Sequence, residues 1–235
     1  MPKMGWASAL VIRAKRGSGV CRLEITRITR QQKRRGRKNI YADGQFVLGL
    51  SDETLMHAGL RTGDEITRER LDSLARMEER QRAKRVALRS IATRPRTVRE
   101  IRDRLREAEC GDQDIEAVIS DLQRTGLLND EEFAGMFVRD ALAHRPTGPM
   151  LLRQKLLLHG LDRSLVDRTL REQLVTSDQE ESALAAGRKY VAKKPAPANP
   201  QDRAKLRALV AAHLARRGFS WETISAVLPA LLTET

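Results

Sequence analysis

Leu152-Arg-Gln-Lys-Leu156-Leu-Leu-His-Gly160-Leu161, continued by Val166 and Leu170, sets a frame that this 235-residue chain writes three times. In the third copy Val210, Leu214, Gly218, Phe219, Ile224 and Leu228 fall in the same slots. In the first, Ile101, Leu105, Cys110, Ile115 and Ile119 do, with Glu109 where the glycine would stand. Apolar residues four apart share one face of an α-helix, and a glycine just past the last of them suits the left-handed turn that ends it. The central leucines, Leu105, Leu156 and Leu214, lie 51 and 58 residues apart. A repeat of that size is a helical unit that cannot bury its apolar face alone, so neighbours must stack. Chains of this kind are scaffolds that lie along a partner more often than they house a reaction.

The breaks between helices are well marked. Thr97-Val-Arg-Glu100 reads as a capping box, in which the Thr hydroxyl accepts from the third helical N–H and the Glu reaches back to the cap. Asn129-Asp-Glu-Glu132 is a looser version. Pro149 suits a first helical turn; Asp112, Asp162 and Ser220 are candidate N-caps, and Gly126, Gly160 and Gly218 sit where left-handed C-caps belong. Pro195-Ala-Pro-Ala-Asn-Pro200 is a stiff spacer that accounts for much of the wider second interval. The units are therefore expected at 67–128, 129–176 and 177–235, three helices each, in an elongated curved body.

Upstream the pattern changes. Leu23 to Thr29 alternates as a strand, Asn39 to Ala42 and Gln45 to Leu50 are two more, and Asp43-Gly44 between them is a strong hairpin signal. Phe46, Leu48 and Leu50 should share one face of this antiparallel β-meander. Ser51 caps a short helix ended by Gly59, and Thr67 to Ile91 reads as a long charged helix stopped by Pro95. The meander with its short helix is assigned to 23–66, and residues 1–22 read as a flexible basic tail. The fold class is mainly α, with a small N-terminal sheet.

The net charge is +13, with only eight aromatic residues. Residues 13–38 hold eleven Lys and Arg against one acid, Glu24. That balance points to nucleic acid or an acidic protein surface. Two cysteines, Cys21 and Cys110, make neither a disulfide framework nor a zinc site, which fits a reducing cytoplasm. No stretch is long enough to span a bilayer. None of the four histidines stands in a metal spacing, and neither a Gly-x-Ser-x-Gly elbow nor a Gly-Lys-Ser/Thr phosphate loop occurs. The expectation is a non-enzyme without cofactor or metal.

Two basic clusters are the candidate binding residues. The first is the finger between the first two strands, Gln31-Gln-Lys-Arg-Arg-Gly-Arg-Lys38, with Arg27, Arg30, Lys33, Arg34, Arg35, Arg37 and Lys38; cations there would neutralise phosphates and release counterions. The second surrounds the turn Arg145-Pro-Thr-Gly-Pro149 and comprises Arg139, Arg145, Arg153 and Lys155. The scarcity of aromatics argues for backbone tracking rather than base stacking. A competing reading is a stand-alone nucleic-acid binder whose units act as helix-turn-helix domains, but Ile115–Arg124 and Trp221–Leu231 are poor in the Arg, Asn and Gln that read base edges.

These residues together resemble the RecX family, bacterial regulators of the RecA recombinase. The resemblance is carried by Ile25-Thr-Arg-Ile28 with Gln32, Tyr41-Ala-Asp-Gly44 and Leu60-x-x-Gly-Asp-Glu65. It continues through Gly126-Leu-Leu-Asn-Asp-Glu-Glu-Phe-Ala134, Phe137-Val-Arg139, Gly148-Pro149 and Leu152-x-x-x-Leu156-x-x-x-Gly160-Leu161. Two departures are the apolar Leu157-Leu-His159 and the long Pro/Ala spacer. The resemblance implies a non-enzymatic protein that binds the groove of the RecA–DNA filament and modulates ATPase, strand exchange and filament assembly in DNA repair, recombination and the SOS response. Its implied partners are the RecA filament and single-stranded DNA, with double-stranded DNA as a further candidate. No membrane partner is implied, and the expected state is a cytoplasmic monomer.

Overall fold

The computed structural model of the chain describes residues 22–32, 36–174 and 179–233. The basic tail therefore lies outside the described residues, apart from Arg22. Four strands come first, β1 (Arg22–Arg30), β2 (Arg37–Ala42), β3 (Gln45–Ser51) and, after helix α1 (Asp52–Ala58), β4 (Glu65–Thr67). Nine further helices follow among the described residues: α2 (Arg68–Thr93), α3 (Val98–Glu107), α4 (Asp112–Arg124), α5 (Asp130–His144), α6 (Pro149–Leu158), α7 (Arg163–Leu174), α8 (Gln179–Val191), α9 (Pro200–Arg216) and α10 (Trp221–Thr233). They form two bodies, one of residues up to 88 with 105–118, the other of 89–104 with 119 onward.

In the first body the sheet is antiparallel with order β3-β2-β1-β4. The expected meander thus gains a fourth strand. The three residues of β4 pair with the start of β1, Leu23 opposite Ile66; a run this short carries no periodicity of its own. The hairpin turns at Asp43 and Gly44, with φ of 47° and 77°, both left-handed as a type I′ turn demands. One expectation fails here. Tyr41 pairs with Phe46 and Ile40 with Leu48, so Val47 is an extra residue in β3. Such a bulge reverses the alternation. Val47 and Leu50 enter the core while Phe46 is left 40% exposed. That core also contains Leu23, Ile25, Ile40, Ile66, Leu71 and Leu74.

Buried within this body is Glu78, on α2. Its carboxylate accepts from the Ser51 N–H (2.9 Å), the Ser51 hydroxyl (3.0 Å), the Thr54 hydroxyl (2.7 Å) and the guanidinium groups of Arg37 (2.7 Å) and Arg85 (3.1 Å). Ser51 also caps α1 by accepting from the Thr54 N–H. A single carboxylate therefore ties β2, the end of β3, α1 and α2 together. Burial raises its pKa, but the Ser51 N–H, the Thr54 hydroxyl and Arg37 outweigh that, and the net shift is downward.

The three written copies are structurally equivalent. Ile101, Leu105, Ile115 and Ile119, then Leu152, Leu156, Leu161, Val166 and Leu170, then Val210, Leu214, Phe219, Ile224 and Leu228 are all buried, whereas Cys110 is half-buried. Each copy ends its middle helix with the same bond: the N–H of Cys110, Leu161 or Phe219 donates back to the carbonyl of Leu105, Leu156 or Leu214 (3.1, 3.3 and 3.3 Å). This is the six-to-one bond of a Schellman cap, which needs a left-handed residue just before it. Gly160 and Gly218 supply φ of 82° and 83°, and Glu109 adopts 57° in the slot where it replaces glycine. The third helices start alike, with Ile115, Val166 and Ile224 donating to the carbonyls of Gly111, Asp162 and Ser220. Asp162 and Ser220 also accept from Ser164 and Thr223 as caps. Asp112 instead lies inside α4, so it is not the cap.

The carbonyl just before each left-handed residue is satisfied from outside its own helix. Ala108 O accepts the Arg82 guanidinium (2.6 Å), His159 O accepts the Thr97 hydroxyl (2.8 Å), and Arg217 O accepts the Gly148 N–H (2.8 Å). Thr97 and Gly148 stand at the starts of α3 and α6. In the second body, therefore, the start of α3 docks on the end of α6, and the start of α6 docks on the end of α9. The middle helices meet head to tail. At the second of these joints Met150 N–H donates to Gly218 O (3.0 Å) and Arg217 Nη1 to Pro146 O (3.1 Å).

The Thr97 box is half as expected. Thr97 accepts from the Glu100 N–H, but the Glu100 carboxylate does not turn back to the cap. It contacts His159 Nδ1 (2.9 Å) and the guanidinium of Arg94 (3.0 Å), because the docked end of α6 offers a partner that an isolated helix lacks. Asp130 reaches across the same joint and accepts from the Val98 N–H (2.9 Å).

Candidate nucleic-acid interface

β1 runs to Arg30 and β2 starts at Arg37, so Arg37 and Lys38 of the basic finger belong to a strand. Lys33, Arg34 and Arg35 lie outside the described residues. Arg30 is exposed and stands directly across from Lys38 in the ladder. Lys38 is half-buried, with Nζ 3.7 Å from Asp52.

Arg37 departs from the expectation altogether. Its guanidinium turns inward, donating to Glu78 (2.7 Å) and to Gly49 O (3.0 Å), with 14% of its side chain exposed. A charge run in sequence cannot distinguish an outward cation from one matched to a buried acid 41 positions later. No local spacing signals Glu78 either; its mark is a lone acid on the apolar stripe of α2, between Leu74 and Ala83.

Arg27 faces solvent in a different setting. Its guanidinium carbon sits 4.4 Å from the centre of the Tyr41 ring, and Tyr41 meets Phe46 edge-on at 5.9 Å. Arg27 pairs with Tyr41 and Tyr41 with Phe46 in the ladders, so the three form a row across β1, β2 and β3. The same bulge that pushes Val47 inward places Phe46 in this row.

The second cluster also separates. Arg153 on α6 forms a two-pronged pair with Asp167 on α7, at 2.8 and 3.1 Å. That pair is exposed and lies on the surface of its own unit. Arg139 is exposed on α5, its guanidinium lying over Gly135, where an added Cβ would come within 3.1 Å of Nη1. Lys155 is exposed on α6, and Arg145 is exposed just past the end of α5. Among the described residues, Arg27, Arg30, Arg139, Arg145 and Lys155 of the expected binding cations thus face solvent, and Arg153 is exposed but paired with Asp167. Among those same residues no group of three acids, histidines or cysteines could hold a metal ion, and no helix is long and apolar enough to cross a membrane.

Four family models match the chain in order. The regulatory protein RecX N-terminal domain covers residues 23–67, and the first, second and third RecX three-helix domains cover 83–122, 129–170 and 178–228. A regulatory protein RecX from Clostridium beijerinckii is 30% identical over 67% of this chain and 71% of its own length. One from Clostridium acetobutylicum is 27% identical over 89% of this chain and 97% of its own. The match to the Staphylococcus carnosus protein spans 54% of that relative, at 29% identity. Two crystal structures share the fold: a regulatory protein RecX, with a TM-score of 0.63 at 24% identity over 87% of this chain and 98% of that one, and RecX from Lactobacillus salivarius, with a TM-score of 0.54 at 21% identity over 66% and 97%. With an N-terminal sheet domain followed by three equivalent three-helix units, each matched in order, this chain belongs to the RecX family.

Proposed function

We propose that this chain regulates a RecA-type recombinase by binding in the groove of the recombinase–DNA filament, and that it modulates ATP hydrolysis, strand exchange and filament assembly. Membership of a family of regulatory proteins supports the regulatory part of the reading. The observation that carries the contact itself is the set of solvent-facing cations Arg27 and Arg30 on β1 and Arg139, Arg145 and Lys155 on the second unit; in sequence Lys33, Arg34 and Arg35 add charge between β1 and β2. Repeated units whose middle helices meet head to tail within the second body gain avidity on a repeating partner from contacts that are individually weak. Lys38 is a lesser contributor, and Arg37 and Arg153 act mainly through their partners Glu78 and Asp167.

Recombinase ATPase rate and filament length, measured with and without the protein, test the regulatory reading. An unchanged rate and length would end it. Neutralising Lys33, Arg34 and Arg35 together is expected to weaken binding and to flatten the log–log salt dependence by about 2, at about 0.7 per cation lost on a single strand. Unchanged affinity and slope would remove the finger from the account. The melting temperature of the triple variant serves as the folding control.

A further inference from the structure

A cleft of about 310 Å³ opens between the end of α5, the outer face of α8 and the end of α9. Arg145, Lys189, Lys193 and Arg217 line it, and no carboxylate does. Four cations around one concavity repel one another, and an anion among them would relieve that repulsion. One wall is aromatic: Tyr190 and His213 stack with ring centres 4.3 Å apart and planes at 17°. Burial holds His213 below its ordinary pKa, and the neighbouring Arg217 and Arg216 push the same way. The imidazole therefore adds hydrogen-bonding capacity to the wall without a full charge. Arg217 is pinned by its bond to Pro146 O, so part of the donor set is already oriented.

We propose that this cleft binds phosphoryl oxygens. Its cations come from three helix regions, the end of α5, the end of α8 and the end of α9, with no carboxylate among the lining residues, and the volume admits a phosphate with an attached sugar. Two sources share that chemistry, a phosphodiester of a nucleic-acid strand and a free nucleotide. The first source rests on the nucleic-acid reading above. The site is distinct from the sheet-borne finger, and of the residues singled out by sequence it uses only Arg145. Lys189 and Lys193 are four apart across the end of α8, where an unaided sequence reading sees only a charged helix terminus.

The test uses the full chain and two probes, an unlabelled oligothymidine and inorganic pyrophosphate, with the Tyr190 and His213 ring resonances as the local readout. Both probes are expected to shift those resonances. The double variant K189A/K193A is expected to abolish the pyrophosphate response and to weaken oligothymidine binding about five- to twenty-fold. Its log–log salt slope should be shallower by about 1.4, at about 0.7 for each of two cations. Both lysines are exposed, so the melting temperature serves as the folding control, and K189R/K193R should restore binding. If oligothymidine binds but neither the ring resonances nor the salt slope respond, the cleft is overturned while the nucleic-acid reading stands. If pyrophosphate binds in the cleft and oligothymidine binds nowhere, the site is one for free nucleotides and the nucleic-acid reading fails. Silence of both probes at the two rings overturns the cleft outright.

Discussion

Gly218→Ala is expected to separate the last two helical units at their joint, with a loss of about 2–5 kcal/mol. Two costs add. An alanine at φ +83° pays about 1–2 kcal/mol for the left-handed conformation. Its Cβ would also stand 2.3 Å from the Leu151 backbone nitrogen and 2.4 Å from the Leu151 Cβ; overpacking of that kind adds about 1–3 kcal/mol. The obstacle is backbone, so no side-chain rotamer relieves it. Gly148→Ala meets the reverse face of the same joint, its Cβ 2.2 Å from Gly218 O, without the left-handed cost. Two other glycines grade the effect. Gly160 shares the left-handed geometry, but the atoms its Cβ would meet belong to the flexible Arg99 side chain. Gly126, with φ +71° and nothing within 4 Å, should cost only about 1–2 kcal/mol. Thermal melts of the four alanine variants should therefore rank Gly126 mildest and Gly218 most severe. Equal losses at the two would mean that the joint contributes nothing beyond backbone conformation.

Glu78→Ala is the second large effect, a loss of about 3–5 kcal/mol from the sheet-containing body, since it leaves the Arg37 guanidinium and the Ser51 and Thr54 donors without their shared acceptor. Hydrogen exchange resolved by peptide should show the loss in β2, β3 and α1, with α5 to α10 unaffected. Uniform loss across the chain would contradict the assignment. The acid dependence has a definite sign. The folded-state pKa of Glu78 is lowered, so its contribution is fully present above the ordinary value of 4.5 and fades as pH falls through the lowered one. The gap in stability between the natural protein and E78Q should accordingly be constant from pH 7 down to about 5 and then shrink. A gap that widens in acid would exclude an ionised Glu78.

Much of this architecture is legible in the sequence because its signals are local. A helix cap is written within six residues, so Leu156 to Leu161 and Leu214 to Phe219 align residue for residue, and Glu109 falls in the slot of Gly160 and Gly218. The Asp43-Gly44 turn is local in the same sense. What escaped depends on distance. The bulge at Val47 exists only in the pairing with β2, and β4 exists only because β1 offers an edge. Glu100 abandons its own cap because the end of α6 arrives beside it. The candidate interface follows the same division. Charge density located the finger and the turn after α5, but it could not separate the exposed Arg27 and Arg30 from Arg37, whose partner lies on another element. Nor could it show that Arg145 shares a cleft with Lys189, Lys193 and Arg217, which are brought together from three helix regions.

The joints also bear on how the protein would meet its partner. Donors of three chemical kinds, a guanidinium, a hydroxyl and a backbone N–H, satisfy the equivalent carbonyls of Ala108, His159 and Arg217. The repeat thus keeps the position of the contact while the residues supplying it differ. In the second body this fixes each middle helix against the next, so cations carried by successive units are held at set separations rather than on free linkers. Preorganisation of that kind lowers the entropic cost of binding several sites at once.

The account is tested most directly by comparing the affinity of the full chain for a RecA–single-stranded DNA filament with its affinity for the same strand bare, across rising salt. The filament is predicted to bind at least about tenfold more tightly, with the advantage surviving salt that abolishes binding to the bare strand, because multivalent protein contacts outlast counterion release. Equal affinities with equal salt slopes would contradict it and would leave a protein that simply binds nucleic acid.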